Sequence, residues 1–322
     1  LTQIIRLISN QLWRDQAPYY QSVFVKYCKY WSYEAPKPYI TESRVNCIAI
    51  MNRRAYPSDL SDAEWELIEP FMPVHQGVGH PRTVNLREIV NAILYWSDNG
   101  IKWRAMPHDL PAWSTVYDYY RLWVKTGLWE EINSCLVKLV RLADGRDEEP
   151  SLTIIDSQSV RTSENKGPEQ GVDGNKRVKG RKRHIVVDTL GLVLNCFVSA
   201  ANMADVTAAV ATLEPVLEAF VRIEKVLADQ AYKGPLGEKL KHVHHCVLEV
   251  TKKLGEGFVA APFRWVVERT LSWLDKARRL CRDYEILPEN HEGVVYVVMI
   301  RIMLRRLTDN QRDWKSDTTQ FA

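Results

Sequence analysis

Residues 151–160, SLTIIDSQSV, limit the possible folds more than any other stretch. Leu152, Ile154 and Ile155 make a short apolar run, rich in β-branched side chains, that ends on Asp156. Such a run packs well on a pleated surface, so it predicts a buried strand that brings a carboxylate to the rim of a sheet. Residues 221–229, VRIEKVLAD, repeat the pattern and end on Asp229. Residues 263–280, FRWVVERTLSWLDKARRL, carry the apolar spacing of an amphipathic helix, with Glu268 on it. An aspartate at a strand end is often only a turn or helix cap. Three acids from distant segments mean more if the fold gathers them.

A gathered set would make an acidic pocket for hard divalent cations. Mg²⁺ takes one or two carboxylates per ion and fills its other positions with water and phosphate oxygens. Two such ions about 3.5–4 Å apart can activate a nucleophile and stabilise a leaving oxygen. Other acids compete for these roles. Asp188 precedes a Thr-Leu-Gly turn, which Asp commonly starts, and Asp205 is placed to cap a helix. Asp275, seven residues after Glu268, shares its helix face and is the best substitute for it. Arg264, four residues before Glu268, shares that face too and could hold either Glu268 or a phosphate.

Composition narrows the class. The 322 residues are 46% hydrophobic and 26% charged, which is ordinary globular material with room for two modest domains. Six scattered cysteines without CxxC spacing suit a reducing cytosol. No apolar run is long enough to span a membrane, and no secretory leader is visible. His242, His244, His245 and Cys246 are close together but match no established zinc spacing. The net charge of +3 does not by itself imply nucleic acid, but its distribution does. Lys166, Lys176, Arg177, Lys179, Arg181, Lys182 and Arg183 are opposed only by Glu169 and Asp173 within residues 166–183. Positive charge beside an acidic pocket is what a phosphodiester backbone requires.

Four regions follow. Residues 1–50 mix aromatics and prolines with no consistent period, and local signals agree only after Met51. The expectation is a biological start at Met51, with 1–50 as translated upstream sequence; a docking arm is the alternative. N-terminal sequencing of the native product separates the two. Residues 51–148 predict a helical domain. Ser61 and Glu64 make a capping box, as do Asn85 and Glu88; Ser114 or Thr115 caps a third helix, and Gly100 and Gly127 end helices. Tight corners suit a helix-turn-helix-like DNA-binding module, with Lys102, Arg104, Arg121 and Lys125 available to phosphates. The stripe of Trp96, Trp103, Trp113, Trp123 and Trp129 reads as core. The polar stretch 144–150, DGRDEEP, reads as the boundary. Residues 149–310 predict an α/β mixed sheet with the first strand central and helices on its faces, a hairpin turning at Leu190-Gly191, and a long polar loop over 161–180. Residues 311–322 form a tail.

The co-linear segments YPSDLSDAEWELIEP, IKWRAMPHDLPAWSTVYDYYRLWVKTGLWEEI, IDSQSV, DGNKRVKGRKRHIVVDTLGL, LADQAYKG and RWVVERTLSWLDKARRLCRDYE resemble bacterial insertion-sequence transposases. They are most similar to the insertion-sequence-five group, in the larger family that includes insertion sequence four. The resemblance runs from Met51 to about Leu307 and leaves residues 1–50 outside it. It implies an RNase H-like catalytic core with a DDE triad, which falls here on Asp156, Asp229 and Glu268. It also implies two Mg²⁺ ions (Mn²⁺ may substitute), terminal inverted repeats and target DNA as partners, a homodimer assembled on DNA, and a place in the bacterial cytoplasm at the nucleoid. The family's third motif has a Tyr where this chain has Ala261 and a Lys where it has Asp275, with Lys276 next. Arg264 and Glu268 fit that motif. Two other readings stay open at this point: a decayed transposase that only binds DNA, and a simple metal-dependent nuclease.

Overall fold

The structure is a computed structural model that describes residues 53–73, 84–163, 167–250 and 264–308. The expected 1–50 extension, the 311–322 tail, Lys166, Ala261 and the side chain of Arg264 lie outside the described residues. By internal contacts the chain divides into Leu1–Ala55 and Tyr56–Ala322, and the described helices and strands all fall in the second unit.

Four helices come first. In α1 (Asp62–Ile68) the capping box forms as expected: the Ser61 hydroxyl accepts from Glu64 N–H, and the Glu64 carboxylate accepts from Ser61 N–H. Helix α2 (Leu86–Asn99) opens on Asn85, whose side chain accepts from Arg87 and Glu88 N–H. It stops at Gly100, whose φ of 66° a residue with a Cβ rarely adopts. Helix α3 (Trp113–Lys125) starts on Ala112, ahead of Ser114 and Thr115. The Ala112 carbonyl already accepts from Val116 N–H, so both expected caps sit inside the first turn. Gly127 turns the chain into α4 (Leu128–Ala143). Trp96 stacks on Trp103 at 4.0 Å and Trp123 meets Trp129 edge-on at 5.4 Å. Trp96, Trp123 and Trp129 are buried, and Trp113 is exposed under the Arg104 guanidinium. Truncating one of the buried rings would cost about 3–5 kcal/mol.

The sheet follows: β1 (Leu152–Arg161), β2 (Gly171–Asp173), β3 (Val178–Asp188), β4 (Val193–Ala200), α5 (Asp205–Ala219), β5 (Lys225–Ala228), α6 (Leu236–His244), β6 (Val247–Val250), α7 (Arg264–Leu274) and α8 (Pro288–Leu307). The strand order is β2-β3-β1-β5-β6, with β4 paired to β3. Strands β3 and β4 are antiparallel to their partners, whereas β5 runs parallel to β1 and β6 parallel to β5. The first strand is central and the sheet is mixed, as the sequence implied. One face carries Ile155, Val186 and Val226 against α5 and α6. The other face and the β4 edge meet α7 and α8.

Three expectations change. Strand β1 does not end on Asp156 but runs five residues further, because residues up to Arg161 keep pairing with β3. The polar loop over 161–180 is correspondingly shorter and contains β2 and the start of β3. Helix α8 has no counterpart in the sequence reading. It is buried along most of its length and so lacks a polar face to give it a helical period.

Groups on either side of residues 144–150 are in contact. Asn133 of α4 donates to the Val193 carbonyl at 2.7 Å. Arg141 Nη1 is 2.6 Å from the Asp188 carboxylate, with both side chains buried. Helix α4 also packs on α8.

Candidate active site

Strand β1 pairs in parallel with β5 just before the first two acids. Thr153 pairs with Val226 and Ile154 with Leu227. The pairing ends there, and Asp156 and Asp229 each lie two residues further along their segments, Asp229 just past the end of β5. Each carboxylate is oriented by backbone. Asp156 Oδ1 accepts from Ser157 N–H at 2.8 Å, and Asp229 Oδ1 accepts from Ala231 N–H at 2.9 Å. Asp229 sits where β5 gives way to a short 3₁₀ turn over Gln230–Tyr232, so it caps that turn and borders the sheet at once. Both acids are half-buried.

Glu268 lies exposed on α7, which packs on β1. Among the described residues, no three His, Cys, Asp or Glu side chains converge closely enough to count as a metal-binding group, and this covers His242, His244, His245 and Cys246. The donors at Asp156 and Asp229 are nevertheless all oxygen, in the number that one Mg²⁺ takes from protein, and Glu268 adds a third on the neighbouring helix. The donor set fits a hard divalent ion.

Asp275 does not substitute for Glu268. Helix α7 ends at Leu274, and Asp275 turns to accept from Gln158 Nε2 at 2.9 Å and Arg183 Nη2 at 3.0 Å. Arg183 also bonds Gln158, directly across the ladder. This trio occupies the Asp156 face two residues along β1, and the motif logic did not anticipate it. Arg183 Nε and Nη1 are buried there without a hydrogen-bond partner.

The basic run splits in two. Lys176, Arg177 and Lys179 are exposed at the β2–β3 turn, as surface cations should be. Arg181, Lys182 and Arg183 are not surface cations, because β3 is covered on both faces and paired on both edges. Arg181 is fully buried against Asp283 at 2.8 Å and the carbonyls of Pro168, Glu285 and Ile286. Although burial pushes the Asp283 carboxyl up, His291 and Arg181 hold it down at about 2. Lys182 donates to Asp205 at 3.0 Å and to the Met203 carbonyl at 2.8 Å. A run of cations in sequence cannot be told from a run in a covered strand until the strand's neighbours are known. On α3, Arg121 and Lys125 are exposed, as are Lys102 and Arg104 in the loop before it.

Asp205 is the first residue of α5, not its cap, which is Ala204. Its carboxylate accepts from Ser157 Oγ at 2.9 Å as well as from Lys182. Tyr232 is fully buried nearby. Burial raises its hydroxyl pKa, and the charges of Asp205, Asp156 and Asp229 raise it further. A cavity of about 360 Å³ opens beside these groups, lined by Asp173, Lys182, Asn202, Asp205 and Ala231 among others. Asp188 starts the β3–β4 turn, as read: its Oδ1 accepts from the N–H groups of Leu190 and Leu192. No described helix is long and apolar enough to cross a membrane.

Comparison with known proteins bears on the family of the chain. A family model described as "Putative transposase of IS4/5 family" matches residues 60–133, and one described as "Transposase DDE domain" matches residues 147–303. The "Insertion element IS402 uncharacterized 16.2 kDa protein" of Burkholderia cepacia is 30% identical over 112 residues, which is 32% of this chain and 72% of that protein. The "Uncharacterized protein y4sN" of Sinorhizobium fredii is 30% identical over 122 residues, covering 38% of this chain and 86% of that one. The "Putative transposase for insertion sequence element IS402" of Burkholderia cepacia is 30% identical over 137 residues, 38% of this chain and 63% of that one. No solved structure matches the chain significantly.

Proposed function

This chain belongs to the IS4/5-type DDE transposases, and from that premise we propose that it cuts the ends of an insertion sequence and joins the freed 3′-hydroxyls to target DNA. Asp156, Asp229 and Glu268 are the catalytic carboxylates of this reading. The observation that supports it is the parallel β1–β5 pairing, whose continuation would bring the segments bearing Asp156 and Asp229 alongside each other. The mixed sheet with its first strand central supports an RNase H-like core.

Mg²⁺, held by Asp156, Asp229 and Glu268 when bound, supplies Lewis acidity at the attacking and leaving oxygens. The chain's own groups do the positioning. Ser157 N–H and Ala231 N–H each fix one carboxylate oxygen. Lys176, Arg177 and Lys179, exposed around the β2–β3 turn, hold the strand by its phosphates. Arg121 and Lys125 present a second basic surface on α3, which supports a DNA-binding role for the helical segment. Hydrolysis first breaks the bond to the 3′-oxygen at the element's end. That 3′-hydroxyl then attacks a phosphorus of the target and displaces its 3′-oxygen. No covalent protein–DNA intermediate is needed. Two ends are joined together, so the working form is a dimer assembled on DNA.

The test uses a supercoiled plasmid carrying both element ends, with Mg²⁺ or Ca²⁺. End-specific nicks and joined products with Mg²⁺, absent from Asp229→Asn, are expected. Cutting without joining, and without preference for the ends, would convert the assignment to a nuclease. Binding without any cutting would leave only a DNA-binding protein.

A further inference from the structure

We infer that the flank of α7 turned away from Glu268 carries a second, non-catalytic DNA backbone site, where Arg269, Lys276, Arg301 and Arg306 surround Trp273. That the anion is DNA rests on the transposase reading above; the site itself rests on charge and geometry. Trp265, Arg269 and Trp273 are four residues apart on α7 and therefore form one column. The Arg269 guanidinium lies 4.6 Å from both indole rings. Arg306, from α8, lies 4.5 Å from the ring of Trp273. Between the two helices is a cavity of about 270 Å³ whose walls include Asp98, Trp273, Lys276, Arg301 and Arg306.

Positive charge here exceeds its internal compensation. Asp98 neutralises Arg301 at 2.6 Å. Among the described residues, Arg269, Lys276 and Arg306 form no ion pair. Asp188 and Asp144 act on Arg306 from a distance, but each already pairs with another arginine, Arg141 and Arg146. The Nε groups of Arg269 and Arg301 are buried with no hydrogen-bond partner. Burial and the neighbouring Arg269 charge both push the Arg306 pKa down. Like charges crowded around one indole repel, and an anion placed among them removes that cost.

A phosphodiester is the anion these groups fit. Planar guanidinium forks match phosphate oxygens, and the indoles hold the forks flat and pre-set. Position agrees with this. Arg269 follows Glu268, so it lies about 100° around the helix from it. The exposed ridge at Trp265 and Ser272 runs between the two flanks. A duplex laid on that ridge meets Glu268 on one side and the cation column on the other. Contacts of this kind are to phosphate, so they position the strand without reading its sequence.

Salt-dependent binding tests the site. Fluorescence anisotropy of the full chain would be followed on a duplex bearing an element end and on an unrelated duplex of equal length. In Lys276→Gln/Arg306→Gln, the slope of log affinity against log salt should shrink by about 2, since each phosphate contact contributes about 0.9. Affinity should fall about 10-fold or more at low salt, equally on both duplexes. Arg306→Lys should restore much of the slope. Lys276→Glu alone gives the same readout if the double variant melts early. An unchanged slope in variants that melt normally would overturn the site. Wild-type chain that binds with the full slope, loses it in the variants and never cuts would sink the catalytic reading while supporting this one.

Discussion

Asp229→Asn changes one charge while keeping the side-chain carbonyl that can accept from Ala231 N–H. The turn over Gln230–Tyr232 should therefore form as before, with a melting temperature within a few degrees of the parent. Nicking at the element ends should fall at least about 100-fold, because transition-state stabilisation worth several kcal/mol is lost. A variant that melts normally and cuts normally would remove Asp229 from the site. Two buried groups contribute to the pH dependence of stability with opposite logic. Burial lowers the His184 pKa from 6.5 to about 4; Asp205 opposes this and Lys182 adds to it. Below pH 6.5 the unfolded chain takes up a proton that the folded chain refuses, so stability falls as pH drops from about 6.5 to 4, by about 1–3 kcal/mol. Asp283 is the reverse case, held at about 2 against an ordinary 3.8. Its contribution is full above the unfolded pKa and disappears between about pH 4 and 2. Melting temperatures across pH 2–8 should show the lower window directly, and the difference between parent and His184→Gln isolates the upper one, where Glu130 and Glu292, each pushed up by burial to about 7, act in the opposite direction.

At the scale of elements, the seating of α7 decides whether Glu268 can serve the two aspartates. The helix leans on the β3–β4 turn. Thr270 Oγ1 is 2.8 Å from the Gly191 carbonyl, and Arg269 Nη2 donates to the Leu190 carbonyl at 2.9 Å. Gly191 has φ of 81°, and a Cβ there would come within 2.6 Å of Thr270 Oγ1. Gly191→Ala should cost about 1–3 kcal/mol through strain and overpacking. It should also lower both cleavage and DNA binding, because the same Cβ would come within 3.1 Å of Trp273 and 3.2 Å of Arg269 while pressing on the helix that bears Glu268. Chemical denaturation, DNA-binding anisotropy and the plasmid assay on the same variant follow these losses; unchanged cleavage in a destabilised variant would count against α7 seating. The Leu190-Gly191 turn was legible because Gly after a strand-ending Asp is a local signal. The covered state of β3 was not. Arg181 and Arg183 look like solvent-facing cations until β1 and β4 are placed on either side of them.

For the whole molecule, the packing of α4 and α8 on each other and on β4 predicts cooperative unfolding. Chain beginning at Met51 should show one transition, coincident by tryptophan fluorescence and by far-ultraviolet circular dichroism. Six of the nine tryptophans after Met51 lie in the helical segment, so the fluorescence is weighted toward it, and the dichroism reports everything. Two separated transitions would restore a two-domain description with its break at 144–150. The stretch DGRDEEP has the composition of a linker, and the family models also change over between residues 133 and 147. Composition records how a segment meets water but not what its neighbours pack against. Here Arg141 and Asn133 tie the helices to the β3–β4 hairpin.

What the sequence determined by itself was local or periodic. The capping box at Ser61, the apolar runs that became β1 and β5, and the amphipathic α7 all rest on interactions within a few residues, which a linear reading can follow. Asp156, Asp229 and Glu268 could be singled out because each sits at a fixed place in such a run. Only the tertiary structure decided which side chains share a surface. It paired β1 with β5 in parallel, turned Asp275 toward Arg183, and gathered Arg269, Arg301 and Arg306 around Trp273 from two helices. Those groupings depend on long-range pairing and burial, and no pattern of neighbours along the chain encodes them.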